Sequence, residues 1–288
     1  MSLSRVIRKA RKRAWTLNRM RARAIRVGGR EYHVRGFFES PLMVREDYEP
    51  YMRSPYRAAL ATRPGAFVDV GANAGQTLGT VLSVGPDRTW IGFEPQLDCC
   101  HAINTFILDN DLAGHTIHPF GLSDRQQTVR LLKRNASADK TASIVAGFRP
   151  DDFYTASQVV HTLVGDDVLL PLDTPIAVVK IDVEGAELDV LRGIVGVLET
   201  HRPVVFFEVL GNHLAVTRTD LDDATVRFRQ ERREAMEELL RARGYRLFRV
   251  GSPLVELDAL EAPPAGGPKS TNIVAIHDDH VATYEAEL

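Results

Sequence analysis

Ala66-Phe67-Val68-Asp69-Val70-Gly71-Ala72-Asn73-Ala74-Gly75-Gln76 is the stretch whose rhythm decides the fold. An apolar run ends in a glycine, and a helical pattern follows over residues 75–84. A short apolar run bounded by turn residues reads as a strand buried on both faces. The same alternation extends outward. Strands are expected at 89–93, 115–120, 176–183, 203–209, 245–250 and 271–277, with helices over 96–109, 186–199 and 223–243. Apolar strands separated by helices predict an α/β fold with a mostly parallel sheet covered on both faces, its ligand beyond the carboxyl ends of the strands.

Two segments break this rhythm. Residues 134–162 lack periodicity and read as a long irregular insertion, a kind of loop that is functional or disordered. Residues 36–63 form a connector rich in aromatics (Phe37, Phe38, Tyr48, Tyr51, Tyr56), expected to pack as a cap. The organisation predicted is a basic arm over 1–35, the connector over 36–63 and the main domain over 64–288. No internal repeat is visible.

The chain has 288 residues, 44% hydrophobic and 26% charged, enough for one large α/β domain or two small ones. No run approaches the ~18 to 20 apolar residues of a membrane span. The only cysteines, Cys99 and Cys100, are adjacent, which argues against a disulfide framework or a cysteine-rich zinc site and suggests a reducing, cytoplasmic setting. The net charge of −2 conceals a division. Residues 1–35 hold twelve Lys/Arg against one acid, Glu31, while the remaining 253 residues hold 24 basic and 37 acidic groups. Leu3, Ile7, Ala10, Ala14 and Leu17 fall at helical spacing, so the arm predicts a basic amphipathic helix with Trp15 at its edge. A helix clamped to the acidic body, a solvated tail, an organelle transit peptide and a membrane-surface contact are the open readings; nucleic acid is the weaker partner. A secretory signal is disfavoured, because no apolar segment follows the charges.

Each strand end carries candidate chemistry. Gly71 and Gly75 permit a tight turn and close approach of backbone to a ligand, and Asp69 with nearby amides suits an amino-acid-like moiety. A dinucleotide fingerprint requires G-x-G-x-x-G; here Ala72-Asn73 stand where the middle glycine is needed and the third glycine is absent. No Lys-Ser/Thr pair completes a P-loop either. Glu94 ends the second strand, where a carboxylate can accept both ribose hydroxyl protons, of NAD and of S-adenosylmethionine alike. Ser123-Asp124 follow the third strand, with Asp124 placed to accept from an adenine amino group. The most distinctive run is Lys180-Ile181-Asp182-Val183-Glu184-Gly185-Ala186-Glu187, in which alternation puts Lys180 and Asp182 on one side. A buried Lys–Asp pair is a costly way to decorate a strand end for stability alone. Phe207-Glu208 and Asn212-His213 close the next strand over the same crevice.

Taken together, 67–75, Phe93-Glu94-Pro95, Gly121-Leu122-Ser123-Asp124, 179–187, Arg202-Pro203 and Phe207-Glu208 resemble the FkbM family of S-adenosylmethionine-dependent methyltransferases over residues 64–277. One departure is Val164-Gly165-Asp166-Asp167, where the family usually reads Thr-Leu-Asp-Asp. The resemblance implies a class I, Rossmann-like methyltransferase fold with seven strands, the last antiparallel, and O-methylation of a hydroxyl on a sugar, lipid or polyketide-type small molecule. Asp69, Gly71, Asn73 and Gly75 would hold the methionine part of the cofactor, Glu94 the ribose, and Ser123-Asp124 the adenine. Asp182 or Glu184 is the candidate base, Lys180 its companion, Glu208 a neighbour and His213 a second candidate. An alternative is a divalent metal on Asp182, Glu208 and Asn212. The competing functions are an NAD(P)-linked oxidoreductase and a non-catalytic scaffold docked to membrane or nucleic acid through its arm.

Overall fold

In a computed structural model, residues 22–35, 42–45, 47–134, 138–147, 149, 151–209, 223–261 and 271–288 are described. The expected arm helix, residues 36–41 of the aromatic-rich connector, and both Asn212 and His213 lie outside them.

The described chain opens with a hairpin, β1 (Ala22–Val27) and β2 (Arg30–Arg35), paired antiparallel across Gly28 and Gly29, both at positive φ. A 3-10 turn at Pro50–Met52 leads into α1 (Arg53–Thr62). Then come β3 (Ala66–Val70), α2 (Gln76–Val84), β4 (Trp90–Phe93), α3 (Leu97–Asp109) and β5 (His115–His118). Three strands follow, β6 (Gly121–Ser123), β7 (Gln127–Lys133) and β8 (Ala156–Val164), then α4 (Gly165–Leu169) and β9 (Ile176–Ile181). The remainder is α5 (Glu187–Gly193), α6 (Val195–His201), β10 (Val204–Glu208), α7 (Asp223–Arg241), β11 (Tyr245–Arg249), β12 (Val255–Glu256), β13 (Asn272–His277) and α8 (Val281–Glu287).

The main sheet has the order β12-β11-β13-β10-β9-β3-β4-β5. Strands β10, β9, β3, β4 and β5 run parallel, and β13 is antiparallel to both its neighbours. This is the class I methyltransferase arrangement, with its last long strand reversed. The sheet has eight strands where seven were expected, because the two-residue β12 pairs with β11 at the edge. All of β3, β4 and β9 is buried, with Asp69 and Lys180 the only charged residues in them. Alternate residues feed two cores. Phe67, Trp90, Phe106 and Phe206 lie on one side of the sheet, and Phe93, Ile181, Leu191 and Phe207 on the other.

Three expectations change. Residues 22–35 and 53–62, set apart by sequence as arm and connector, pack into the same core as β3. Val27, Tyr32 and Val34 are buried, and Tyr56 stands edge-on between Phe67 and Phe206 at centroid distances of 5.1 and 5.0 Å. The stretch 134–162 is only partly irregular, because from Ala156 on it is β8, which pairs with β6 and β7 in a second, three-stranded sheet. The helix expected over 186–199 is two helices broken at Ile194. The break fits a tight contact, since a Cβ on Gly193 would lie 1.9 Å from the Ser123 carbonyl oxygen.

Candidate active site

The carboxyl ends of β3, β4 and β9 open into a cavity of about 280 Å³. Its floor is the turn after β3. Gly71 has φ +87°, and a Cβ there would meet the Asp182 carbonyl at 2.0 Å. Gly75, φ +85°, packs against Val44, Ile103 and Leu42 at the start of α2. Both glycines are thus required by strand and helix packing, a stronger constraint than the ligand approach expected of them. Asn73, itself at φ +43°, donates its backbone N–H to Glu94 Oε2 at 2.8 Å. Glu94 Oε1 accepts the Gln96 N–H at 2.7 Å. Burial pushes the Glu94 carboxyl up to about 7, against the pull of these two amides.

Asp69 does not reach the cavity wall. It is fully buried, neither carboxylate oxygen has a hydrogen-bond partner, and Lys180 Nζ stands 3.8 Å away. Burial raises its pKa to about 6, with the Lys180 charge opposing. Lys180 Nζ also donates to Asp182 Oδ2 at 3.0 Å. Burial opposes the ammonium, but the flanking Asp182 and Asp69 hold its pKa well above the ordinary lysine value. Lys180 therefore stays charged between a buried carboxylate and one that lines the cavity.

The rest of the Lys-Ile-Asp-Val-Glu-Gly-Ala-Glu run divides by role. Glu184, at φ +54°, is ion-paired with the buried Arg149 guanidinium. Burial pushes it up to about 8 despite that pair, with Asp182 and Glu208 adding repulsion. Glu187 turns inward and accepts the N–H groups of Val183 (3.3 Å) and Gly185 (3.1 Å), closing the turn before α5. Glu208, at the end of β10, lines the same cavity and is pushed up to about 7, first by burial and then by Asp182. Asp182, Glu184, Lys180 and Glu208 are thereby brought together, as expected.

Ser123 and Asp124 are not. Asp124 pairs with Arg125 at 2.9 Å, which lowers its pKa, and it accepts from Ser123 Oγ at 3.3 Å, away from the cavity lining. At that end the cavity is walled by Phe93, Leu122, Leu131 and Val160, with Gly121 and Thr162 beside them. The second sheet supplies most of this apolar wall. The departure at 164–167 also has a structural account, because Asp166 accepts the N–H groups of Gly196 (2.7 Å) and Val197 (2.9 Å) at the start of α6.

Sequence reasoning missed the roof. Asp139 donates its N–H to Gln96 Oε1 (2.8 Å), and its carbonyl accepts from Gln96 Nε2 (3.0 Å) and Asn73 Nδ2 (3.2 Å). Its carboxylate accepts from Thr141 N (2.9 Å) and Oγ1 (2.8 Å). Asp139-Lys140-Thr141 was readable as an Asx turn, but the partner Gln96 lies 43 residues away and leaves no local mark. Among the described residues no group of three His, Cys, Asp or Glu is placed to hold a metal ion, and no helix is long and apolar enough to cross a membrane.

The model of the methyltransferase FkbM domain matches residues 69–247, more than half the chain and all of the motifs just described. The chain belongs to the FkbM methyltransferase family. No curated protein matches it in sequence. Among solved structures it is similar to a methyltransferase FkbM from Methylobacillus flagellatus KT, at 15% identity and TM-score 0.44 over 74% of this chain and 44% of that one. It is also similar to precorrin-6y C5,15-methyltransferase from Geobacter metallireducens GS-15, at 12% identity and TM-score 0.39 over 82% and 94% of the two chains. A third, the O-methyltransferase NcsB1 from neocarzinostatin biosynthesis in complex with S-adenosylmethionine and a naphthoic acid, has 16% identity and TM-score 0.36 over 81% and 53%. The chain spans less than half the length of the first of these.

Proposed function

We propose that this FkbM-family protein transfers a methyl group from S-adenosylmethionine to a hydroxyl oxygen of a small molecule of the sugar, lipid or polyketide type. The observation that carries the reading is a single cavity joining Glu94, at the end of β4, to the Lys180–Asp182 pair at the end of β9. The residues fit the cofactor in kind. Phe93, Leu122, Leu131 and Val160 offer an apolar berth for adenine, Glu94 faces where ribose hydroxyls would lie, and the Gly71–Asn73 turn receives the methionine part. Asp69 supports this turn from beneath through Lys180, and is not itself a wall of the cavity.

When bound, the cofactor supplies an electrophilic methyl group on a sulfonium. The chain must align the acceptor with it, exclude water and take a proton from a weakly acidic alcohol. Alignment contributes up to ~7 to 11 kcal/mol, and a positioned base ~10² to 10⁴-fold in rate. Two carboxylates are placed for the proton. Asp182 is steered by Lys180, and Glu208, pushed up to about 7, has the basicity best matched to neutral pH. Glu184 accepts from the Arg149 guanidinium, and that ion pair makes it the poorer candidate for the base.

Calorimetry with S-adenosylhomocysteine and with NAD tests the cofactor. Micromolar binding of the first and none of the second is expected; the reverse order would restore the oxidoreductase reading. Transfer of labelled methyl to a hydroxyl library then tests the reaction. A membrane-surface role for the arginine-rich residues 1–35 belongs to the same proposal, supported by their excess of twelve basic groups over one acid. Co-sedimentation with anionic vesicles, lost on deleting residues 1–21, is the expected result.

A further inference from the structure

The apolar end of the cavity includes a polar side chain that has no part in the chemistry above. Val160 and Thr162 lie two residues apart on β8, so one face of the small sheet turns both towards the cavity. β8 is the middle strand of that sheet, and Thr162 is in register with Gly121 on one side and Gln127 on the other. Neighbouring strands fix its position, and it is 1% exposed. Gly121 leaves space beside it. A Cβ there would meet the Thr162 methyl carbon at 3.3 Å and the His161 carbonyl oxygen at 3.9 Å. A small side chain would fit after a slight shift, and a larger one would take its room from the cavity.

The Thr162 hydroxyl donates to the Arg125 carbonyl at 3.2 Å. A hydroxyl has one proton to give and two lone pairs with which to accept. With its proton spent, Thr162 can offer a ligand only an acceptor, so it selects for a donor opposite it. The one donor on an adenine base is its 6-amino group, since the ring nitrogens accept. Two other groups could compete for that role. Gln96 also lines the cavity, but its side-chain oxygen and nitrogen are both bonded to Asp139. Asp124, expected from the sequence to bind adenine, is paired with Arg125 away from the lining.

We infer that Thr162 accepts a hydrogen bond from the adenine amino group in the slot beside Gly121, and so sets the preference of this protein for a 6-amino over a 6-oxo purine. The inference rests on the methyltransferase reading, and the test separates the two. The full-length protein is titrated calorimetrically with S-adenosylhomocysteine and with S-inosylhomocysteine, in which a carbonyl replaces the amino group. The wild type is expected to bind the adenosyl compound about ten-fold tighter or more, because the inosyl compound sets two acceptors face to face. Thr162→Val keeps the shape and removes the hydroxyl, and the preference should fall below about three-fold. Thr162→Ser restores the hydroxyl and should restore the preference. Gly121→Val should weaken both ligands alike, since it narrows the slot without touching the hydroxyl. Asp124→Asn, at a surface pair, should leave the preference as it is. The inference is overturned if the wild type does not discriminate, if Thr162→Val keeps the preference, or if Gly121→Val leaves both affinities unchanged. Loss of the preference in Asp124→Asn overturns it too, even where a Thr162 variant fails to fold. If S-adenosylhomocysteine itself does not bind the wild type, the methyltransferase reading falls first.

Discussion

The two walls of the cavity are built differently. The sheet wall, from Val70 to Asn73 and from Phe93 to Gln96, consists of strand ends whose neighbours are the interior of the protein. Gly71 is fixed by its contact with the Asp182 backbone, and Glu94 is satisfied by two amides before any ligand arrives. The loop wall, residues 47–52 and 138–147 with Arg149, is tied on by single side chains, Gln96 and Asn73 to the Asp139 backbone and Arg149 to Glu184, and Lys140 over Tyr48 joins its two segments. The first wall suits a ligand shared by a whole family, and the second suits an acceptor particular to this chain. A rigid half that binds and an adjustable half that selects is a common division in loop-bearing folds.

The sharpest way to break the comparison is chemical. Asp182→Asn and Glu208→Gln both remove a charge between the walls. The variant that deletes the base should lose about 10² to 10⁴-fold in kcat, and the other markedly less. Affinity for S-adenosylhomocysteine should stay within about three-fold in both. If Glu208 is the base, it must be deprotonated to act. With its carboxyl pushed up to about 7, kcat/KM should rise with pH through about 7 and level off above it. Glu208→Gln should remove that inflection. An unchanged pH profile in the glutamine variant would transfer the role to Asp182.

Next in size is the floor of the sheet wall. Gly71→Ala places a Cβ 2.0 Å from the Asp182 carbonyl in a residue at φ +87°. The change should cost about 3 to 5 kcal/mol in urea unfolding, through strain and displacement of β9. A loss below about 1 kcal/mol would show that the two strand ends move independently, and the floor would then be no more rigid than the roof.

This contrast also explains what could be read from the sequence. The strands were legible because burial on both faces demands apolar runs, as in Val204–Phe207 of β10. The acids at their ends were legible because a charge directly after such a run calls for a reason. The hairpin at 22–35 was hidden by its arginines. Its alternation of Tyr32 and Val34 with exposed Glu31, His33 and Arg35 is a strand pattern, but the charge excess drew the reading towards a solvated arm. Tyr56 was counted as part of a cap because nothing local shows that it inserts between Phe67 and Phe206. Asp124 looked like an adenine ligand by position alone, and its neighbour Arg125 claims it. The long-range latches were illegible for a simpler reason, since hydrogen bonds between residues 43 apart leave no periodicity.

The roof offers a smaller effect. Gln96→Ala removes both side-chain hydrogen bonds to Asp139. At ~1 kcal/mol each, the loss should weaken S-adenosylhomocysteine binding by up to about 30-fold and raise hydrogen exchange in residues 138–147. Global stability should change far less than it does on Gly71→Ala. Equal losses in the two variants would mean that roof and floor unfold as one unit.

The smallest effect comes from outside both walls. Asp124→Asn breaks the half-exposed pair with Arg125, and pairs of that kind are worth ~0 to 1 kcal/mol. Because Asp124 does not line the cavity, cofactor affinity should change by less than about three-fold. A larger loss, of ten-fold or more and specific to adenine-containing ligands, would show that Asp124 leaves Arg125 when the nucleoside enters. The sheet wall would then have an adjustable element of its own. The distinction is measurable because Arg125→Ala separates the two cases. If Arg125 merely occupies Asp124, freeing the carboxylate leaves affinity unchanged. If Arg125 competes with adenine for it, affinity rises.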